Sequence, residues 1–156
     1  MKRTIIIVLL VAMFAACKKD DDRTLLSPTF FEISECFSTM SLNGAELVIT
    51  NQQSYQEFQD SIRRHFFAYC DTVFLPEINF EKSMFIGKYT QTGGCSVEYS
   101  RSVYYNSNTN SYDYEITVTK VGQCEMLITS FNCAIVPKQS ESTNVNFSVS
   151  YSSKGK

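Results

Sequence analysis

LPEINFEK (residues 75–82), SMFIGKY (83–89) and TQTGGCSV (90–97) follow one another as the stretch whose reading decides the fold. The first part reads as a loop entering a strand, because Pro76 biases Leu75 toward extended backbone. Residues 83–89 read as the strand itself. Gly93-Gly94 then supplies the positive φ that a tight connection into a second strand requires. The stretch is a hinge between strands and carries no catalytic motif.

Downstream of it the period is two. Val97, Tyr99, Val103 and Tyr105 alternate with Ser96, Glu98, Ser100 and Ser102. In residues 112–121 the apolar phase is Tyr112, Tyr114, Ile116 and Val118, and Asn106–Ser111 forms a polar turn between the two runs. This is a β-hairpin with one buried and one wet face. Setting Tyr105 opposite Tyr112 puts Val103 opposite Tyr114 and Tyr99 opposite Val118. A slip of one residue would put every pair out of phase. The same register sets Cys95 opposite Gly122, two residues from Cys124, and so predicts a Cys95–Cys124 disulfide. Leu127–Val136 is a longer apolar run, a central strand covered on both faces and ended by Pro137. Residues 145–151 alternate as the last strand, and 152–156 read as a loose tail.

Upstream, Ser54 with Glu57 reads as a capping box. Tyr55, Phe58, Ile62, Phe66 and Tyr69 recur at helical steps along one face. Burying that stripe contributes on the order of 10 kcal/mol before entropy is subtracted. Asp71 and Pro76 mark the end of this helix. Glu46–Thr50 reads as a short strand, and residues 23–44 as a lead-in holding one strand. The fold class expected is α+β and β-rich: one antiparallel sheet of about five to six strands packed with one amphipathic helix.

The chain begins with Met1-Lys2-Arg3 and an apolar run, residues 4–16, that is too short to span a bilayer but suits a secretory signal. Ala15-Ala16-Cys17 resembles a bacterial lipobox, with Phe14 where a leucine is usual. The resemblance implies lipidation of Cys17 by acyl chains (palmitate among them) and a membrane anchor. Lys18-Lys19-Asp20-Asp21-Asp22 cannot pack and forms a solvated tether. It resembles the export signal of surface-exposed Bacteroidetes lipoproteins, which places the protein on the cell outer membrane. A plain spacer with a periplasm-facing domain is the alternative. The expected division is signal peptide 1–16, tether 17–24, one domain 25–151 and tail 152–156.

The whole chain carries 14 Lys and Arg against 16 Asp and Glu. Losing Lys2 and Arg3 with the signal leaves a net charge of −4, with no basic stripe to track a phosphate backbone, so nucleic acid is not an expected partner. Beyond Cys17 there remain Cys36, Cys70, Cys95, Cys124 and Cys133. Outside the cytoplasm disulfides are the default for them. Cys36–Cys70 is the second pair expected, leaving Cys133 as a buried free thiol. No C-x-x-C occurs and His65 is the only histidine, so neither a zinc site nor any other cofactor is expected. His65, at the edge of the apolar stripe, reads as a packed or partly exposed helix residue. Asn146-Phe147-Ser148 fits a glycosylation sequon but lies within a strand. Asp71-Thr72-Val73 looks like a Bacteroidetes O-glycosylation motif, with Thr72 as acceptor.

Taken in order, the strand, the capped helix, Leu75–Phe80, Met84–Lys88, Thr92–Val97, Ile135–Lys138 and Val145–Phe147 resemble the C-terminal domain of the protease-complex subunit PrcB. The resemblance extends to its Bacteroidetes lipoprotein relatives and covers residues 46–151, with Asn79 where an aspartate is usual. It implies a binding or scaffold domain without catalytic residues.

The function expected is therefore a non-enzymatic, envelope-anchored module that binds or stabilises a partner protein, such as a protease. Nine tyrosines suit contact surfaces, and outward-facing Tyr104 is the residue whose loss would test it. Two alternatives are a glycan-binding accessory of a nutrient-uptake system and an envelope hydrolase using Glu77 and Glu81 as paired carboxylates.

Overall fold

The computed structural model describes residues 22–33, 45–66, 75–141 and 144–154, and the side chains of all these except residues 63–66. Eight strands and one helix lie among them: β1 (Arg23–Leu25), β2 (Thr29–Ile33), β3 (Glu46–Ile49), α1 (Gln52–Phe66), β4 (Ser83–Gly93), β5 (Ser96–Asn106), β6 (Ser111–Val121), β7 (Leu127–Pro137) and β8 (Val145–Lys154).

The β-rich α+β class holds, but the single sheet does not. The strands form two four-stranded sheets, ordered β1-β5-β6-β8 and β2-β7-β4-β3. The reason lies at the glycines. β4 pairs with β7 as far as Gly93 opposite Leu127, and β5 pairs with β6 from Ser96 opposite Val121. The four strands are thus one long hairpin that bends sharply halfway and passes from one sheet to the other. Strands that switch sheets at bends make the corners of a sandwich. Residues 94–95 take one side of this corner and residues 122–126 the other. Gly94 (φ 156°) and Gly122 (φ 76°) adopt backbone that side chains rarely allow. Gly94 N donates to Met126 O at 3.0 Å and Cys95 N to Val121 O at 2.9 Å, which fixes the bend.

Between the sheets, Met84, Ile86, Ala134 and Val136 meet Val103, Tyr112, Tyr114, Ile116 and Val118. On the other face of the β4–β7 sheet lies α1. Its Tyr55, Phe58 and Ile62 pack with Phe85, Tyr89 and Phe131, and the Phe58 and Phe85 ring centroids are 5.3 Å apart. β7 is buried from both sides, as its unbroken apolar run predicts. The hairpin register also holds: Tyr105 faces Tyr112, Val103 faces Tyr114 and Tyr99 faces Val118.

Several boundaries shift. The cap of α1 is Asn51, whose Oδ1 accepts from Ser54 N at 2.8 Å, so Ser54 lies inside the first turn and is not the cap. The lead-in holds two strands, β1 and β2, which join different sheets. β1 begins at Arg23, within the expected tether, and β8 continues through Ser152 and Ser153 to Lys154, within the expected tail. β8 runs parallel to β6, where an all-antiparallel sheet was expected. The return from β7 is held at its start, where Lys138 Nζ donates to Phe80 O at 2.6 Å and Gln139 N to Tyr112 Oη at 2.7 Å.

Candidate docking edge

Cys17, Cys36, Cys70 and Thr72 lie outside the described residues, as do residues 17–21 of the tether and Tyr69. His65 lies in α1, but its side chain is not among those described. Cys95 and Cys124 are brought together at disulfide distance, with an S–S separation of 1.95 Å and Cα atoms 4.7 Å apart. Both are exposed at the corner.

Cys133 is a buried free thiol on β7. Burial pushes its pKa well above the ordinary value, Glu32 adds to the shift and Arg101 opposes it. A protonated, inaccessible thiol is a poor nucleophile. Glu77 and Glu81 are both exposed on the loop before β4. Between them Asn79 folds the chain back: its Oδ1 accepts from Glu81 N at 3.0 Å and its carbonyl from Ser83 N at 2.9 Å. An asparagine does here what an aspartate would, as acceptor in an Asx turn. Among the described residues no three His, Cys, Asp or Glu side chains gather as a metal site. No helix among them is long and apolar enough to cross a membrane.

Tyr104 does face outward on β5, but it is covered. The Arg23 guanidinium lies 4.2 Å from its ring centroid and pairs with Asp113 and Glu115 on β6. This cluster staples the short β1 to its sheet. The outer face beyond it is polar, with hydroxyl pairs Thr117–Ser150 at 3.0 Å and Thr119–Ser152 at 2.9 Å. Asn146 Nδ2 donates to Asp113 Oδ1 at 2.9 Å.

A second polar cluster, absent from the sequence reading, lies between the sheets. Arg101 shares the inward phase of Tyr99 and Val103. It donates to Asn132 Oδ1 at 2.9 Å and to Glu32 Oε2 at 3.0 Å, and sits 5.1 Å from the Tyr99 ring centroid. Asn132 in turn donates to Thr90 Oγ1 at 2.9 Å. These groups satisfy one another, which is the signature of an internal brace.

The feature that remains open is the outer edge of β8. Among the described residues no strand pairs with it on that side. Tyr112 N donates to Asn144 O at 2.8 Å and Tyr112 sits opposite Val145. Even-numbered residues of β8 therefore turn their backbone groups to β6. Val145, Phe147, Val149, Tyr151 and Ser153 turn theirs outward. Native edges are usually short, charged or interrupted, because a bare edge is a template for another strand. The other edges follow that rule: β1, β2 and β3 have three, five and four residues and carry Arg23, Glu32 and Glu46. The part of β5 beyond β1 carries Glu98 and Arg101. β8 has ten residues, no proline and no ionised side chain before Lys154. Its Tyr151 is 59% exposed, the one large aromatic so exposed among the described residues.

The chain matches no known family model, no characterised protein and no solved structure.

Proposed function

We propose that this protein is a lipid-anchored module of the cell envelope that holds another polypeptide by contact, without turnover, along the open edge of β8. The observation that carries the reading is that edge. Among the described residues it is long, carries no charge before Lys154 and has no strand beside it, whereas the other edges are each short or charged. Strand addition uses such an edge directly, with main-chain hydrogen bonds for affinity and alternate side chains for specificity.

The N-terminal reading supports the same role. Asp22, the last acidic residue of the tether's charge run, is held at the β5–β6 turn, where its carbonyl accepts from Ser107 N at 3.4 Å. Acylated Cys17 would hold the turn end of the domain near the outer membrane. The disulfide corner would point away, about 34 Å distant along the eleven residues of β5. β8 lies on the opposite edge of its sheet from β1, where the tether joins. The resemblance to PrcB-like lipoproteins points to the same class of role, a protein that stabilises a partner.

Two experiments test this. Intact-mass measurement of the protein from an expressing bacterium is expected to show acyl chains on Cys17 and loss of residues 1–16. A photo-crosslinking residue at Ser150 is expected to yield protein adducts in cells, with none from the same residue at Glu77. Adducts equally abundant at Glu77, or absent at Ser150, would refute the docking edge.

A further inference from the structure

We infer that the strand received by β8 is β8 of a second copy, paired antiparallel about a two-fold axis through Val149. The inference rests on the docking edge proposed above and names its occupant.

The first argument is self-complementarity. The outward backbone groups belong to the odd-numbered residues, of which Val145, Phe147 and Val149 pack against the core between the sheets, with the exposed Tyr151 next in the same phase. In an antiparallel pair, residues that exchange both hydrogen bonds face each other directly. Pairing β8 with itself must therefore set odd against odd, which keeps the apolar phases on one face. Among such registers, centring on Val149 uses every outward group from Val145 to Ser153. It places Val149 against Val149, Phe147 against Tyr151 and Val145 against Ser153 of the other copy. A shift by two residues strands a pair of groups at each end. The chosen register also covers Tyr151, which the isolated domain leaves exposed, with an aromatic ring.

The second argument is charge. The sheet carries its acidic pair Asp113 and Glu115 toward the Val145 end of β8, and Lys154 lies at the other end. Lys154 pairs with Glu98 and Asp113 with Arg23 inside each copy, and antiparallel pairing brings Lys154 of one copy diagonal to the neutral Asn146 of the other, so neither charge is buried without its partner. The two Lys154 side chains are held at opposite ends. No like charges face each other across the seam. The pairing is also closed: a two-fold, isologous contact consumes both edges and does not propagate into a fibre.

The product is a continuous eight-stranded sheet with β1 of each copy at its two outer edges, about 34 Å apart at the usual strand spacing. Both tethers then leave from the margins of one sheet, and two lipid anchors act on one particle.

The test uses the full chain in an expressing bacterium, with exposed serines of β8 replaced so that the core is untouched. Ser148→Cys and Ser150→Cys chains, co-expressed, place thiols directly opposite each other at about 4.5 Å between Cα atoms, within disulfide reach. A 148–150 linked dimer on mild oxidation is expected, with Ser152→Cys alone giving no 152–152 link. Ser148→Lys/Ser150→Lys sets like charges across the seam. It is expected to lower the dimer fraction at least tenfold in sedimentation of the detergent-extracted protein, at an unchanged melting temperature. A 152–152 link without 148–150 overturns the register and the proposal. Adducts only with a different polypeptide overturn the second copy but keep the contact reading. No adduct of any kind overturns both.

Discussion

Arg101 Nε stands 2.9 Å from Asn132 Oδ1, so an arginine of one sheet donates to a wholly buried amide of the other. The guanidinium also serves Glu32, which takes a further bond from Ser130 Oγ at 3.2 Å. Removing one member of a buried network costs more than the network contributes, because the others are left unpaired. Arg101→Ala is expected to lose about 2–4 kcal/mol in urea unfolding. Glu32 can turn to water, so most of the loss arises at Asn132. Arg101→Met combined with Asn132→Leu is expected to recover at least half of it.

Gly87 is a packing requirement. A Cβ there would lie 2.6 Å from Cζ of Phe131 on the neighbouring strand. Gly87→Ala is expected to cost about 1–3 kcal/mol as overpacking. Phe131→Leu in the Gly87→Ala background makes room for the methyl, so the double mutant is expected to lose less than the sum of the two single losses, as read by a thermal double-mutant cycle.

The disulfide closes the corner across a sequence separation of 29. Constraining the unfolded chain over a loop of that size is worth roughly 3–4 kcal/mol. Cys95→Ser/Cys124→Ser is expected to lower stability by that order while leaving the β5–β6 register intact. Gly122→Ala is expected to strain the same corner, since its Cβ would meet Cys95 Sγ at 2.6 Å with a φ of 76° already fixed. Both are read by denaturant melts.

The period-two hairpin was legible because a one-residue slip would expose its whole apolar phase, and that same register located Cys124 near Cys95. The helix was legible from Tyr55, Phe58 and Ile62. Its start was not, because Gln52 and Gln53 are neutral in pattern and Asn51 outcompetes Ser54 as a cap. The division into two sheets was hidden for a different reason. Gly93-Gly94 serves equally well in a hairpin turn and in a sheet-switching corner, and only the pairing of β4 with the distant β7 decides between them. β1 and β2 are too short to show a period. Arg101 went unnoticed because its neighbours Tyr99 and Val103 carry the apolar phase past it. The open edge of β8 depends on which strands end up beside it, which no local pattern encodes.

Alkaline pH should weaken the fold. Burial raises Tyr55 from 10.0 to about 12, and the nearby Cys133 adds to the shift while a bond from Gln59 opposes it. Burial also raises Tyr114 above its ordinary value, with Arg101 opposing. The folded state thus holds protons that the unfolded state has released, so stability falls as pH rises. For Tyr55 the contribution is complete below pH 10 and is lost as pH climbs through 12. Tyr55→Phe loses the bond its hydroxyl donates to Pro76 O at 2.9 Å. It is expected to be about 1 kcal/mol less stable at neutral pH but to show a shallower decline in this window, measured by urea midpoints against pH.

Amide exchange along β8 tests most directly whether its edge is a contact surface. The even-numbered amides, bonded to β6, are expected to be protected at every concentration. Those of Phe147, Val149 and Tyr151 are expected to exchange quickly in dilute protein and to gain protection together as concentration rises. Outward amides that exchange at open rates at all concentrations, with or without the cell envelope present, would contradict a docking role for β8.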